Sequence, residues 1–478
     1  MTLRRLAAPW TPQGSSAYCQ PGALLLKLGL GEAPAAIPAR NDVRDGTATA
    51  ATAIDGGAID RIVTAYGGQP RVARLHTAAA NIGRAGHRNR NYSDAEQVSG
   101  LARTFIVHTG RDAALGELVN ALSAVTTVEW ASPNYVSVSP FEVAQAFAAE
   151  RVSDEDMWAP WLMIRAPQAL AYEPGDSSVI VGIIDSGVAP DHPEFARRFR
   201  QGYDTVNLTA SDVAQGIQVL GTGGNPDHEP VDRYVGHGSA CASIIGAFGI
   251  DMPPGLAGDA QLLPMRALGA ARLPGKTGAI GMGAIADLDV AVKLAVDLGA
   301  RVLNLSFGTD DSQLATHLPK PHADVIAYGA DRGCVFVAAS GNNGQETLYW
   351  PAGYPDVIAV GAVGADARPT GFSTRGDHVA LCAPGERIFS AALDGYQRAT
   401  GTSFAAPFVT ATVALMIARA ERRAFALDPA AIKRLLAGST RGFSGAAAGC
   451  GTGILDAAAA LAAIDALIDH YHPETEDG

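Results

Sequence analysis

The sequence predicts an α/β chain with a doubly wound parallel sheet, preceded by a small α+β domain. Three observations carry this prediction. The first 140 residues alternate short apolar strands with two amphipathic helices. Beyond residue 156, unbroken β-branched runs alternate with helical patterns, as strands covered on both faces require. Finally, 47% hydrophobic and 18% charged residues over 478 positions leave room for two or three domains around a large core.

In the N-terminal part, ALLLKLGL (23–30) reads as a strand and Ala58 to Tyr66 as a helix. Arg71 to His76 and TFIVHT (104–109) read as strands, Asp112 to Ser123 as a helix, and VEWASPNYVSV (128–138) as a last strand. This βαββαβ order is that of a small ferredoxin-like domain. The polar insertion within residues 77–103, containing HRNRNYSD, fits no element and is expected to be a disordered loop. A charged, helix-prone connector follows from Phe141 to Asp156. VIVGII (179–184), RVLNLSF (301–307), CVFVAAS (334–340) and DVIAVGAV (356–363) then read as buried parallel strands between helices such as IADLDVAVKLAVDLGA. GILDAAAALAAIDALI closes the fold as a helix, and HPETEDG is an acidic tail.

Composition excludes several classes of function. Lys plus Arg number 36 against 48 Asp plus Glu, a net charge of −12 that repels phosphates, so no nucleic-acid partner is expected. The 5 cysteines, Cys19, Cys241, Cys334, Cys382 and Cys450, form no CxxC pair, which argues against a disulfide framework or a structural zinc site. MTLRRLAAPW holds too short an apolar piece for a signal-peptide core, and no run approaches ~18 apolar residues without charge. The expectation is a cytoplasmic protein without a membrane span, with secretion by another route left open.

Three segments carry chemistry. In VIVGIIDSGVAPDHPEF a buried strand delivers Asp185 at its C-terminal end, where ligands bind in open α/β sheets. GHGSACASIIGA sets His237 between glycines at the start of a small-residue helix. GTSFAAPFVTATVALMIA places Ser403 after a tight turn, opening an apolar helix. Taken singly, Asp185 reads as a turn or cap residue, His237 as a packing residue and Ser403 as an N-cap. Together they supply what acyl transfer needs. A serine hydroxyl is a poor nucleophile until an imidazole takes its proton and a buried carboxylate holds that imidazole in one tautomer.

The order Asp, His, Ser is that of subtilisin, and the region from about Asp156 to Leu467 resembles the subtilisin-like serine proteases. IIDSGV, HGSACASIIGA and GTSFAAP are similar to that family's three catalytic-site signatures. Phe404 stands where the family usually has Met, and Ser239 and Cys241 where Thr and Val are usual; Cys241 is expected to be a small buried hydrophobe. The resemblance implies a subtilisin-like sheet, with Ser403 as nucleophile, His237 as general base then acid, and Asp185 as orienter. VFVAASGNNG resembles the oxyanion loop and implies Asn342, rather than Asn343, as a donor to the developing alkoxide.

Further implications follow from the same resemblance. Ser306, Phe307 and Gly308 would form one substrate wall and Gly281, Met282 and Gly283 the opposing edge, holding a peptide as an added strand. Tyr349 stands where relatives commonly carry Gly, so the pocket for the residue before the scissile bond is expected to be shallow and to take Ala, Ser or Gly. The alternative is that Tyr349 swings out to solvent. No cofactor is required for the chemistry, while structural calcium at Glu194 and Asp251 is allowed.

The resulting domain assignment is 1–140 as a prodomain-like unit, 141–155 as connector, 156–470 as peptidase domain and 471–478 as tail. Its expected partners are a peptide or protein substrate and its own N-terminal domain as an intramolecular inhibitor. The Ala-rich connector near Ala146 to Ala149 would be the self-cleavage site. The expected function is a serine endopeptidase made as a self-inhibited proenzyme. The rivals are a dedicated intracellular processing protease and a peptide-binding module on an inactive scaffold.

Overall fold

The computed structural model describes residues 18–82, 91–139, 153–213, 216–221, 228–314 and 318–471. The N-terminal unit is built on β1 (Tyr18–Leu28), β2 (Arg71–Arg74), β3 (Thr104–His108) and β4 (Val128–Val138). They pair antiparallel in the order β2-β3-β1-β4, with helices Ala58–Gly67 and Leu115–Ser123 as the two crossovers. The apolar run in β1 serves both faces of this sheet. Leu24, Leu26 and Leu28 pack on the unit's own helices with Ile59, Val63, Leu118 and Leu122. Leu25, one residue out of phase, joins Ile106 and Ala73 in a second core with Ile285, Leu288 and Val292 of helix Ile285–Asp297.

The remaining described strands are β5 (Ile180–Asp185), β6 (Tyr203–Asp204), β7 (Gln218–Leu220), β8 (Gln261–Arg266), β9 (Gly269–Arg272), β10 (Ala279–Ala284), β11 (Val302–Leu305), β12 (Thr309–Asp310), β13 (Val335–Ala339), β14 (Tyr349–Trp350), β15 (Val357–Val363), β16 (Val379–Pro384), β17 (Ile388–Ala391) and β18 (Tyr396–Ala399). Seven of them form a sheet in the order β16-β15-β13-β11-β5-β8-β6, and every pairing in it is parallel. Its strands are buried almost throughout, which is why they read as unbroken apolar runs. One face is covered by helices Ile285–Asp297 and Ala323–Asp331. The other is covered by helices His237–Gly246 and Thr402–Arg422.

Among the described residues, Thr402–Arg422 is also the helix long and apolar enough to cross a membrane, but 94% of its apolar 18-residue stretch is buried inside the fold. Phe404, Phe408 and Leu415 are each fully buried there, and such a side chain contributes about 1.5–3 kcal/mol. The apolarity of this helix is that of a core element.

Two features depart from the expectation. The N-terminal sheet does not stop at β4: β10 pairs antiparallel with it, and β9 and β7 extend the sheet to seven strands. The insertion is not a structureless loop in its described part. Asp94–Ser99 is a helix, begun by a capping box in which Ser93 and Glu96 exchange bonds. The self-cleavage site expected near residues 146–149 and most of the acidic tail lie outside the described residues.

Candidate active site

Asp185 ends β5, fully buried, and its Oδ1 accepts from the Ser186 N–H at 2.7 Å. The same oxygen lies 2.7 Å from His237 Nδ1, the first residue of its helix. Gly238 makes this approach possible, because a Cβ there would stand 2.1 Å from the Gly187 carbonyl oxygen and 3.2 Å from Asp185 Cβ. The carboxylate fixes the imidazole with a proton on Nδ1, leaving Nε2 as the basic atom.

A residue that sequence reasoning missed sets the turn into this helix. Asp232 is buried and accepts from the backbone N–H groups of Tyr234, Val235 and Gly236. Its Oδ2 also accepts from Ser186 Oγ at 2.7 Å, and that hydroxyl accepts from Gly238 N–H at 3.0 Å. Asp232 thus ties the end of β5 to the start of the His237 helix. The signal was present in DRYVGHG, an Asp followed by a turn that ends in Gly.

Ser403 lies at the first turn of helix Thr402–Arg422, and its Oγ donates to the Ser306 carbonyl at 3.3 Å. Ser306 Oγ in turn donates to the Ser403 carbonyl at 2.8 Å, while Asn304 Nδ2 donates to Ser306 Oγ at 2.8 Å. This buried chain couples the end of β11 to the serine turn. Phe404 packs its ring against His237 with centroids 5.2 Å apart, filling the position beside the imidazole. Cys241, fully buried, donates its thiol to the Ser403 carbonyl at 3.4 Å and lies 4.0 Å from His237 Nδ1.

Asn342 Oδ1 accepts from the Thr402 N–H at 2.8 Å and from Thr402 Oγ1 at 2.9 Å. A backbone N–H can only donate, so the amide oxygen is fixed on that side and the NH₂ group is turned away from it, 3.2 Å from where a Cβ of Gly401 would stand. Asn343 is held differently. Its oxygen accepts from Thr374 Oγ1 and Gln345 N–H, and its nitrogen donates to Thr347 Oγ1.

Charge separates the roles further. Burial opposes a proton on His237 most strongly, but the Asp185 carboxylate, its hydrogen bond and the neighbouring Cys241 sulfur together overcome it and raise the imidazole well above the ordinary histidine value. Burial raises the Cys241 thiol, so it stays protonated. Asp185, His237 and Cys241 present atoms within 4.8 Å of one another, yet a hydrogen-bonded Asp–His pair beside a neutral thiol suits proton transfer better than a cation.

The two expected walls face each other with the N-terminal unit between them. β4 lies against β10, pairing Val138 with Met282 and Ser137 with Gly283. Ser139 N–H donates to the Gly281 carbonyl at 2.9 Å, and Val138 is bridged to Gly308 on the other side. Tyr349 lines the space beyond Gly308. Its ring lies between Gly308 and Gly341. It does not swing out to solvent.

Glu194, offered for calcium, is already engaged. Glu194 is fully buried, and its two oxygens accept from the N–H groups of Gly249, Ile250 and Asp251 and from the Tyr396 hydroxyl. A cation needs oxygen lone pairs, whereas this carboxylate faces donors. Glu194 holds the 249–251 loop directly, through bonds that a cation would displace.

With this geometry in hand, comparison with known proteins is decisive for the family. Residues 176–453 match the model of the subtilase family, Peptidase_S8. The chain belongs to the subtilase family. It is 30% identical over 306 residues to the thermophilic serine proteinase of Bacillus sp. (strain AK1), covering 63% of this chain and 65% of that protein. It is 30% identical over 254 residues to thermitase of Thermoactinomyces vulgaris, covering 53% of this chain and 79% of that protein. A solved protease structure from Pseudoalteromonas arctica, 24% identical, overlays 65% of this chain and 97% of its own with a TM-score of 0.54, a likeness of fold. The subtilase match begins after the N-terminal unit.

The cytoplasmic expectation does not stand. Subtilase relatives of this chain include the halolysin-like extracellular serine protease Nep of Natrialba magadii, 27% identical and covering 57% of this chain and 44% of that protein. One named as intracellular, the major intracellular serine protease of Bacillus subtilis, is 29% identical over 53% of this chain and 73% of that protein. An apolar run too short for a leader does not assign this subtilase to a compartment.

Proposed function

We propose that this subtilase is a serine endopeptidase in which Ser403, His237 and Asp185 form the catalytic triad. The observation that carries the reading is the buried Asp185–His237 hydrogen bond of 2.7 Å beside the serine turn. His237 Nε2 takes the Ser403 Oγ proton as that oxygen attacks the scissile carbonyl, and Asp185 stabilises the imidazolium that forms. The Asn342 amide and the Ser403 N–H donate to the alkoxide, and each such donor is worth about 3–4 kcal/mol of barrier, a magnitude measured in subtilisin. His237 then returns its proton to the leaving amine. An inactive peptide-binding scaffold would have no need of an oriented base or of an amide turned free of Thr402.

The substrate in this reading lies as an added strand between Gly281–Gly283 and Ser306–Gly308, with main-chain bonds holding it and Tyr349 limiting the residue before the cut to Ala, Ser or Gly. The N-terminal unit acts as an intramolecular inhibitor, because Val138 and Ser139 take up main-chain partners that a substrate would use. The boundaries near residues 140 and 156 divide inhibitor, connector and peptidase domain. A serine-directed phosphonate tests the assignment: after release of the N-terminal unit it should add once, at Ser403, and an adduct elsewhere would overturn it.

A further inference from the structure

The insertion within 77–103 has no part in the chemistry above, yet among the described residues it supplies the most deeply buried charge contact between the two units. Glu96, on helix Asp94–Ser99, is fully buried. One of its oxygens accepts from Ala79 N–H and the other from the Ser93 N–H and hydroxyl. It forms an ion pair of 2.7 Å with Lys293 of helix Ile285–Asp297, and Lys293 also donates to the Thr77 carbonyl at 2.8 Å. Thr77 opens the inserted stretch and Glu96 lies in its later part, so Lys293 gathers both. Within the peptidase domain Lys293 is paired with Asp297, which accepts from the Tyr328 hydroxyl at 2.6 Å.

Two other charges on this face are met by the N-terminal unit with the opposite pattern. Asp287, fully buried, pairs with Arg40, and Asp324 pairs with Lys27 at 3.0 Å. The peptidase face thus presents acid, base, acid, and the N-terminal unit answers base, acid, base. Only the insertion provides the central acid. A domain of the same βαββαβ order without it would leave Lys293 covered with two acceptors missing, an unfavourable burial of charge.

We propose that residues 77–82 and 91–103 are the recognition element by which the N-terminal unit holds its own peptidase domain, with Lys293 as the residue that is read. This deepens the inhibitor reading and rests on its two-unit division. Docking through this contact lies away from the cleft, so it selects the cognate domain independently of the strand at Val138.

Hydrogen exchange on the full chain carrying Ser403→Ala tests this without self-cleavage. Lys293→Met leaves the Glu96 and Asp297 carboxylates facing each other, so amides of residues 94–103 and 285–297 should exchange at least about thirtyfold faster, with β5 and β13 unchanged. Adding Glu96→Gln should recover most of that protection, because it removes one of the two charges. Should Lys293→Met not fold, Glu96→Gln alone must accelerate the same amides. Unchanged exchange, or effects that merely add in the double variant, would overturn the proposal. Failure of the inhibitor reading would instead appear in activity, which this measurement does not use.

Discussion

The ring of Tyr349 lies against the α-carbon of Gly341, so closely that a Cβ there would stand 2.5 Å from Tyr349 Cδ2. A second contact, 3.3 Å from the Cβ position of Gly308, closes the other side. Tyr349→Gly should therefore open the pocket. In a peptide series varied at the residue before the cut, the kcat/KM ratio of Phe to Ala should rise at least about tenfold. A wild type that already prefers Phe or Leu, unchanged by the substitution, would show that the ring does not limit the site.

The raised proton affinity of His237 has a definite consequence for pH dependence. The base must be neutral to act, so the acid limb of kcat/KM should fall above the ordinary histidine value of about 6.5. Asp185→Asn removes the charge that opposes burial, so the limb should move to lower pH while kcat falls by about 10⁴, the loss seen for this change in a serine protease triad. A wild-type limb at or below about 6.5 would contradict the assigned pairing.

The positions of the proposed triad stand out in the sequence because each lies in a contiguous stretch whose local structure fixes it: strand end, helix start, helix start. Asp232 was missed although DRYVGHG carries its signal, because a carboxylate that accepts from the backbone N–H groups of Tyr234, Val235 and Gly236 reads as an ordinary turn residue. The helix at Asp94–Ser99 was missed although Ser93 and Glu96 spell a capping box, because the polar residues around it resemble a loop. The pairing of β4 with β10 joins residues more than a hundred positions apart, and neither strand's periodicity says what lies beside it.

Glu194 offers a stability test. Glu194→Ala leaves the N–H groups of Gly249, Ile250 and Asp251 without their acceptor, at a cost of about 2–4 kcal/mol. Thermal unfolding should begin at a lower temperature, and added calcium should not restore it. Recovery with calcium would show that the loop is a cation site after all.

The N-terminal unit shares a seven-stranded sheet and a hydrophobic core with the peptidase domain. A chain beginning near residue 150 would expose Leu288, Val292 and the edge of β10, so it should aggregate or fold inactive. Supplying residues 1–140 separately should rescue folding and then inhibit with saturable affinity. Equal yield and activity with and without that unit would remove both roles.

Peptide hydrolysis in the proposed mechanism turns on the hydroxyl of Ser403. Ser403→Ala exchanges one small residue at a helix start for another and should leave the circular dichroism spectrum and unfolding midpoint within error of wild type. Its kcat/KM on a peptide that the activated wild type cleaves should drop by at least about 10⁴, given the loss of about 10⁶ in kcat for the corresponding change in subtilisin. A variant that keeps even a tenth of wild-type hydrolysis would contradict the account.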